Sequence, residues 1–155
     1  MQSALPAPSA SGWPDDMRLG YGPIDDVHEE FVTLVDALLA VGDDAIAGAL
    51  EAVEHHCRAH FASEEQWMED TDFPARGCHA KEHAAVLASI EGVGRRVADG
   101  DYAAGRRLAR GLADWFPGHA DYLDSALAHW LCKKRLGGQP VVLRRAVSPM
   151  AHAAT

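Results

Sequence analysis

Residues 46–68 read IAGALEAVEHHCRAHFASEEQWM, and their apolar side chains recur at the spacing of an α-helix. The helical face that they form consists of Ile46, Ala49, Leu50, Val53, Cys57, Phe61 and Met68. His60 and Glu64 fall on the same face, four residues and therefore about one turn apart. This stretch predicts an amphipathic helix that turns an imidazole and a carboxylate toward the protein core.

Three further stretches of the chain repeat this helical pattern. The apolar stretches are 24–38, 79–97 and 108–130, and the turns between the helices are 42–44, 71–74 and 100–101. Asp43 or Asp44 is expected to cap the second helix, and Asp101 the fourth. Short turns favour antiparallel neighbours, and no alternating strand pattern competes with the helices. The sequence therefore predicts an all-α fold, an antiparallel up-down-up-down four-helix bundle.

Each predicted helix carries at least one potential metal ligand on its apolar face. The seven residues are His28, His60, Glu64, His79, His83, His119 and Asp124. His28 and His79 lie early in the first and third helices, whereas His60 and His119 lie late in the second and fourth. In an antiparallel bundle these four positions fall near the same end, so the seven side chains can meet at one level of the core.

The chemistry of this set favours metal ions. A single histidine on an apolar face is more often a hydrogen-bonded core residue than a ligand. Five imidazoles and a carboxylate in one core would all need partners, however, because an unsatisfied buried polar group is costly. Metal coordination satisfies them together, and a carboxylate can bridge two ions while each imidazole binds one. The sequence predicts a dinuclear transition-metal site, for which zinc, manganese and cobalt are open alternatives to iron.

Asp124 is the member of the set that regular helix geometry fits least. It follows His119 by five residues, which separates the two side chains by about 140° in a regular α-helix. Pro117 and Gly118 immediately precede His119 and predict a kink or a local bulge, which would turn both side chains inward. The alternative is that Asp124 is an ordinary surface carboxylate.

The chain of 155 residues is long enough for one compact domain. We expect a flexible arm rich in Ser, Ala and Pro at 1–12, the bundle over 13–136 and a basic tail at 137–155. Oligomeric state and protein partner stay open at this point, with a monomer as the default expectation.

Charge and hydropathy argue against several classes of function. The formal net charge of −9 disfavours binding to nucleic acid or to an anionic membrane surface. No apolar run is long enough to cross a bilayer, and the first residues do not resemble a secretory signal. Cys57, Cys78 and Cys132 form no Cys-x-x-Cys pair, which argues against a disulfide framework. We therefore expect a cytoplasmic protein with reduced thiols.

The order and spacing of the seven residues resemble those of the hemerythrins, and in particular the stand-alone bacterial hemerythrins. The matching segments are Ile24-Asp25-x-x-His28, His60-Phe61-x-x-Glu64-Glu65-x-x-Met68, Phe73-Pro74 followed by His79 and His83, and Trp115-x-x-x-His119-x-x-x-x-Asp124. The resemblance runs from about Trp13 to Trp130 and fills all seven ligand positions. The Pro117-Gly118 pair and the tail after Trp130 depart from the family pattern.

The resemblance implies a non-heme di-iron centre that binds O2 reversibly, for oxygen storage, transport or delivery. By position, His79, His83 and His119 would bind one iron, His28 and His60 would bind the other, and Glu64 and Asp124 would bridge them. The iron with two histidines would keep an open coordination position for a diatomic ligand such as O2 or NO. The aromatic residues expected to form a dry wall around the centre are Phe31, Phe61, Trp115 and Phe116.

Two other functions stay open, namely an O2 or NO sensor and a di-iron enzyme such as a peroxidase, ferroxidase or NO-handling protein. Histidine-rich ligation favours O2 binding over oxidation chemistry. Ferritin-like oxidases use Glu-x-x-His motifs, and no Glu in this chain has a His three residues later. We find no acid, base or substrate cleft beyond the metal site, so an O2-binding protein is expected rather than an enzyme, and no catalytic residues are predicted.

Overall fold

The computed structural model describes residues 17–138 and residue 140. Its helices are α1 (Gly22–Ala40), α2 (Ile46–Asp70), α3 (Arg76–Ala98) and a long fourth helix. The fourth helix runs through α4 (Tyr102–His119), a π-helical turn (Ala120–Asp124), α5 (Ser125–Leu131) and a second π-helical turn (Cys132–Leu136). Within the described residues, no helix is both long and apolar enough to span a membrane. The expected arm at 1–12 and most of the expected tail at 137–155 lie outside the described residues.

The helices form an antiparallel bundle. Short connections at 41–45, 71–75 and 99–101 make consecutive helices reverse direction. α1 packs against α2, α2 against α3 and α3 against α4, and α4 also contacts α1, which closes the ring. No strand occurs in residues 17–138. The predicted all-α, up-down-up-down bundle is confirmed.

Local sequence explains where the helices begin. Pro23 in the first turn of α1 has the backbone angle of a helix and lacks an N–H group that would need a partner. The carboxylate of Asp101 accepts a hydrogen bond from the backbone N–H three residues later (3.1 Å) and caps α4 as expected. The expected cap of α2 by Asp43 or Asp44 is wrong, because the turn places Ala45 at the N-cap position and no side chain bonds there.

Two apolar clusters fill the bundle, with a polar layer between them. The larger one, the central cluster, includes Phe31, Val35, Leu38, Ile46, Leu50, Val53, Phe61, Ile90, Leu112 and Phe116. The smaller one, the end cluster, includes Tyr21, Ile24, Met68, Phe73, Leu127, Ala128, Leu131 and Cys132. Along α1, His28 lies between a residue of the end cluster and one of the central cluster, and Glu64 lies between the two clusters along α2. The polar layer is therefore covered by apolar side chains above and below.

The fourth helix departs from α-helical geometry where the sequence predicts it. Pro117 lies inside α4 and has no N–H group, so the hydrogen-bond ladder lacks one bond. Shortly after it, Ala120–Asp124 is π-helical, and the Ser125 N–H bonds to the Ala120 carbonyl five residues earlier. The predicted bulge is confirmed. Because a π-helical turn spans one more residue than an α-helical turn, the five-residue interval after His119 brings Asp124 to the same side of the helix.

Close packing at the start of α4 leads to a prediction about Gly105. A Cβ atom there would lie 2.9 Å from Ile46 Cδ1 and 3.2 Å from Val97 Cγ2, and both neighbours are buried. Gly105→Ala should lower the free energy of unfolding by about 1 kcal/mol, because overpacking outweighs the better helix propensity of alanine. Gly111→Ala on the same helix meets nothing within 4 Å and should raise that free energy by about 0.5–1 kcal/mol. Urea denaturation measures both changes, and a stabilised Gly105→Ala protein would contradict the packing argument.

Candidate metal centre

The polar layer contains all seven residues that the sequence singles out. None of them is more than 3% exposed. His28 comes from α1, His60 and Glu64 from α2, His79 and His83 from α3, and His119 and Asp124 from the fourth helix. The structure thus brings the whole set together in the core. Asp124 is fully buried, so the alternative that it is a surface carboxylate is wrong.

Glu64 lies between the histidines of α2 and those of α3. Its Oε1 atom is 2.8 Å from Nε2 of His60. Its Oε2 atom is 3.3 Å from Nε2 of His79 and 3.2 Å from Nε2 of His83. The two oxygens of one carboxylate therefore face two different groups of imidazoles, as the oxygens of a bridging ligand must.

Asp124 occupies an equivalent place on the fourth helix. Its Oδ2 atom is 2.9 Å from Nε2 of His28 on α1. Its Oδ1 atom is 2.9 Å from Nε2 of His79 and 3.1 Å from Nε2 of His119. This second carboxylate also divides its oxygens between two groups of histidines, and the π-helical turn is what allows it to do so.

The seven side chains offer two sets of ligand atoms. Within each set, all the ligand atoms lie within 4.8 Å of one another. One set comprises Glu64, His79, His83, His119 and Asp124, and the other comprises His28, His60 and Glu64. Asp124 extends to the second set through its contact with His28. Three histidines therefore lie on one side of the carboxylate pair and two on the other.

Several buried polar atoms of this cluster lack a hydrogen-bond partner among the described residues. They are Oε2 of Glu64, both carboxylate oxygens of Asp124, and Nε2 of His79, His83 and His119. Their nitrogen-to-oxygen distances are short, but the contacts do not have hydrogen-bond geometry. Each unsatisfied buried group costs about 1–3 kcal/mol, so the cluster would be a large penalty by itself. Cations between these atoms would satisfy all of them, and imidazole nitrogens with carboxylate oxygens are ligands that transition metals bind.

Electrostatic interactions in the cluster keep the carboxylates ionised. Burial and the adjacent Asp124 raise the pKa of Glu64, but contacts with three histidines outweigh them and hold that pKa well below its usual range. Burial lowers the pKa of His79, yet the contacts with Asp124 and Glu64 prevail and raise it to about 9. Burial also lowers the pKa of His119, but its contact with Asp124 outweighs burial and raises that pKa. Without metal, protons on His79 and His119 therefore compensate part of the buried negative charge. Metal ions would compete with those protons for the same nitrogens.

Two glutamates outside the set orient its histidines. Glu82 Oε1 accepts a hydrogen bond from the Trp115 indole N–H (2.7 Å) and lies 3.0 Å from Nδ1 of His119. Glu65 Oε1 lies 3.3 Å from Nδ1 of His83. A carboxylate at Nδ1 holds the proton there and leaves Nε2 free to bind a metal. Sequence reasoning did not assign these roles, although the position of Glu82 between His79 and His83 on α3 is a signal that could have indicated one.

The contacts of Glu82 predict the effect of removing it. Glu82→Ala should lower the affinity of the centre for metal by about 10–100-fold, because His119 loses the partner that fixes its tautomer and ring orientation. Competition with a chelator of known affinity measures the change. Glu51→Ala removes an exposed carboxylate of α2 and should leave the affinity unchanged. Equal affinities of the two variants would contradict an orienting role for Glu82.

Aromatic rings cover the histidines on the side of the central cluster. Phe61 stacks on His83 with ring centroids 4.0 Å apart and an interplanar angle of 5°. Phe116 meets His28 edge to face at 4.9 Å, and the Trp115 ring lies 4.4 Å from that of His119. Phe31 packs on Phe116 at 4.6 Å and lies one layer further out. Three of the four expected wall residues thus lie directly against rings of the cluster.

The remaining histidines lie outside the cluster or at its edge. His55 and His129 are exposed, and His152 lies outside the described residues. His56 is only 7% exposed, and its ring lies 5.5 Å from that of His60, so it approaches the cluster as expected. Burial and the neighbouring His60 lower the pKa of His56, which Glu30 and the Val27 backbone offset only in part. The His56 ring is therefore neutral at pH 7 and carries one nitrogen with a free lone pair.

Comparisons with known proteins agree with this geometry. The family model described as the hemerythrin HHE cation binding domain matches residues 19–131. A bacteriohemerythrin of Ralstonia nicotianae is 41% identical over 122 residues, which cover 79% of this chain and 89% of that protein. A bacteriohemerythrin of Pseudomonas paraeruginosa is 29% identical over 122 residues, which cover 73% of this chain and 79% of that protein. No solved structure matches the chain at a significant level. With a matching family model over most of its length and a close relative, this chain belongs to the hemerythrin family.

Proposed function

We propose that this chain binds O2 reversibly at a non-heme di-iron centre, for oxygen storage, transport or delivery. The observation that carries the proposal is the division of five buried histidines into three and two on either side of two carboxylates. Membership of the hemerythrin family supports iron as the metal. Two ferrous ions at this centre would supply the electrons that O2 accepts when it binds and returns when it leaves.

The residues would divide the two ions unequally. His79, His83 and His119 would bind one ion, His28 and His60 would bind the other, and Glu64 and Asp124 would bridge them. The ion held by two histidines has fewer protein ligands and would keep a position free for a small molecule. The site would thus combine one ion that has more protein ligands with one that has fewer, and the second ion would be the one open to a small ligand.

The surrounding side chains would protect this position from water. Phe61 on His83 and Phe116 on His28 place apolar rings directly against the ligands. The central cluster and the end cluster cover the layer on both sides. Excluding water would slow both the loss of the bound molecule and the oxidation of the metal pair.

We infer a cytoplasmic location for this role. Cys57, Cys78 and Cys132 are all free thiols in the structure. Cytosolic proteins keep their cysteines reduced, whereas proteins of oxidising compartments commonly pair them. Free thiols therefore support the cytoplasm as the place where this protein meets O2.

An optical titration tests the proposal. The protein is loaded with iron, reduced without oxygen, exposed to air and then freed of oxygen again, with a spectrum recorded at each stage. We expect a visible charge-transfer band that grows in air and disappears when O2 is removed. Irreversible loss of the reduced spectrum in one exposure, or catalytic turnover with peroxide, would contradict reversible binding and favour a di-iron enzyme.

A pair of histidine variants links the band to the proposed site. His28→Ala should abolish the reversible band, because it removes one of the two imidazoles assigned to the accessible iron. His129→Ala removes an exposed histidine on α5 and should keep the band. A full reversible band in the His28→Ala protein would contradict the assignment of that iron.

A further inference from the structure

A groove of about 370 Å³ opens between α1 and α2 beside the metal centre. Its lining includes Val27 and Glu30 from α1, and His56, Ala59 and His60 from α2. His60 belongs to the centre itself, since its Nε2 atom is 2.8 Å from Oε1 of Glu64. The groove therefore leads from the protein surface to a residue of the proposed iron site.

His56 lines this groove one helical turn before His60. It is 7% exposed, and its Nε2 atom is buried without a hydrogen-bond partner among the described residues. Its Nδ1 atom lies 3.5 Å from Oε2 of Glu30. A proton on Nδ1 facing the carboxylate leaves the lone pair on Nε2. A buried nitrogen lone pair is costly unless a ligand or a water molecule in the groove uses it, so His56 offers a free nitrogen to whatever occupies the groove.

Glu30 marks the outer end of the same row of groups. Its side chain is 65% exposed, so its carboxylate meets solvent at the mouth of the groove. From there the potential metal ligands follow in the order Glu30, His56, His60 and Glu64. The last three repeat at one-turn spacing along α2. The carboxylate oxygens at the two ends of this row and the imidazole nitrogens between them are ligands for divalent transition-metal ions.

We propose that the groove between α1 and α2 is the route by which divalent transition-metal ions reach the centre, with Glu30 and His56 as transient ligands that pass each ion to His60. The inference rests on the proposed metal centre and adds the path by which metal ions enter it. Neither set of ligand atoms within 4.8 Å of one another includes His56. The outer residues therefore offer too few ligands to retain an ion and suit passage rather than storage.

The chemistry of the groove favours a cation over other small molecules. The carboxylate of Glu30 and the net charge of −9 attract a cation and repel an anion. An apolar molecule such as O2 gains little from an imidazole and a carboxylate. A separate groove of about 180 Å³ between α1 and α4, whose lining includes Phe31, Val35 and Phe116, is apolar apart from Asp36 and suits such a molecule better.

The rate of metal uptake tests the proposal. Metal-free protein is mixed with Co²⁺, and the visible absorption of bound Co²⁺ is followed by stopped flow. His56→Leu should slow uptake by about tenfold at low salt while the final content stays at two ions per chain. Glu30→Gln should slow uptake less than His56→Leu does. It should also weaken the dependence of the uptake rate on ionic strength, because salt screens the attraction between an exposed carboxylate and an approaching cation. Since Glu30 is exposed, this second variant does not depend on repacking of the core.

Matched controls separate the route from the site. His129→Leu changes an exposed histidine away from the groove and should load at the wild-type rate. His56→Leu and Glu30→Gln proteins that both load at the wild-type rate would overturn the proposed route. A lower final content in His56→Leu would make His56 a member of the centre and would also overturn it. If the wild-type protein itself binds no Co²⁺, the proposed centre fails; if it binds two ions and only the rate effect is missing, the inference alone fails.

Discussion

Asp124→Asn should reduce the bound iron from two ions per chain to one or fewer. The carboxylate oxygens of Asp124 lie 2.9 Å from Nε2 of His28 and 2.9 Å from Nε2 of His79, on opposite sides of the centre. An asparagine of the same shape keeps the packing but replaces one anionic oxygen by an NH₂ group, which cannot bind a metal. The bridge would be lost, and with it the binding of the ion that has only two histidines.

Iron content after gel filtration measures this effect, with circular dichroism to show that the helices remain. Asp121→Asn is the matched control, because Asp121 lies in the same π-helical turn and is exposed. The control should retain two ions. Two ions retained by Asp124→Asn as well would contradict the bridging assignment.

His119→Ala should likewise lower the iron content toward one ion or fewer per chain, since it removes one of the three histidines assigned to the other metal.

Removing the metal should cause the largest loss of stability. Metal-free protein leaves several buried atoms of the centre, among them Oε2 of Glu64 and Nε2 of His83, without a hydrogen-bond partner among the described residues, whereas metal binds the folded chain and not the unfolded one. At a free metal concentration about 1,000 times the dissociation constant, binding stabilises the fold by about 4 kcal/mol. For a domain of this size, that free energy corresponds to a fall in Tm on the order of 10 °C when the metal is removed.

Thermal unfolding of loaded and metal-free protein, followed by circular dichroism, checks this expectation. The difference in Tm between the two forms should shrink in Asp124→Asn, which retains less metal, and should persist in Asp121→Asn. Equal Tm values for loaded and metal-free wild-type protein would show that no metal stabilises the fold. Such a result would contradict a centre built into the core.

The fold and the membership of the polar layer could be predicted because both depend on local periodicity. Each helix carries its apolar residues at helical spacing, and His60 with Glu64 simply continues that spacing along α2. Asp124 required one more step, since only the effect of Pro117 on the fourth helix allowed for a five-residue turn. These features are encoded within single helices, where the sequence is directly informative.

Contacts between different helices could not be predicted from the sequence, because they depend on how the helices cross. Glu82 is 38% exposed and looks like a solvated surface residue of α3, yet the crossing of α3 and α4 brings its carboxylate to Nδ1 of His119. The groove beside His56 likewise depends on how α1 lies against α2. The N-cap of α2 was predicted wrongly for a related reason. A shift of one residue in the turn places Ala45 rather than Asp44 at the N-cap position, and the sequence does not determine that shift.

Anomalous diffraction at the iron absorption edge, from crystals of iron-loaded protein, tests the central claim most directly. Two peaks should lie within the polar layer of the bundle, one among His79, His83 and His119 and the other beside His28 and His60, with Glu64 and Asp124 between them. A single peak, or iron bound outside these seven residues, would contradict the proposed di-iron centre.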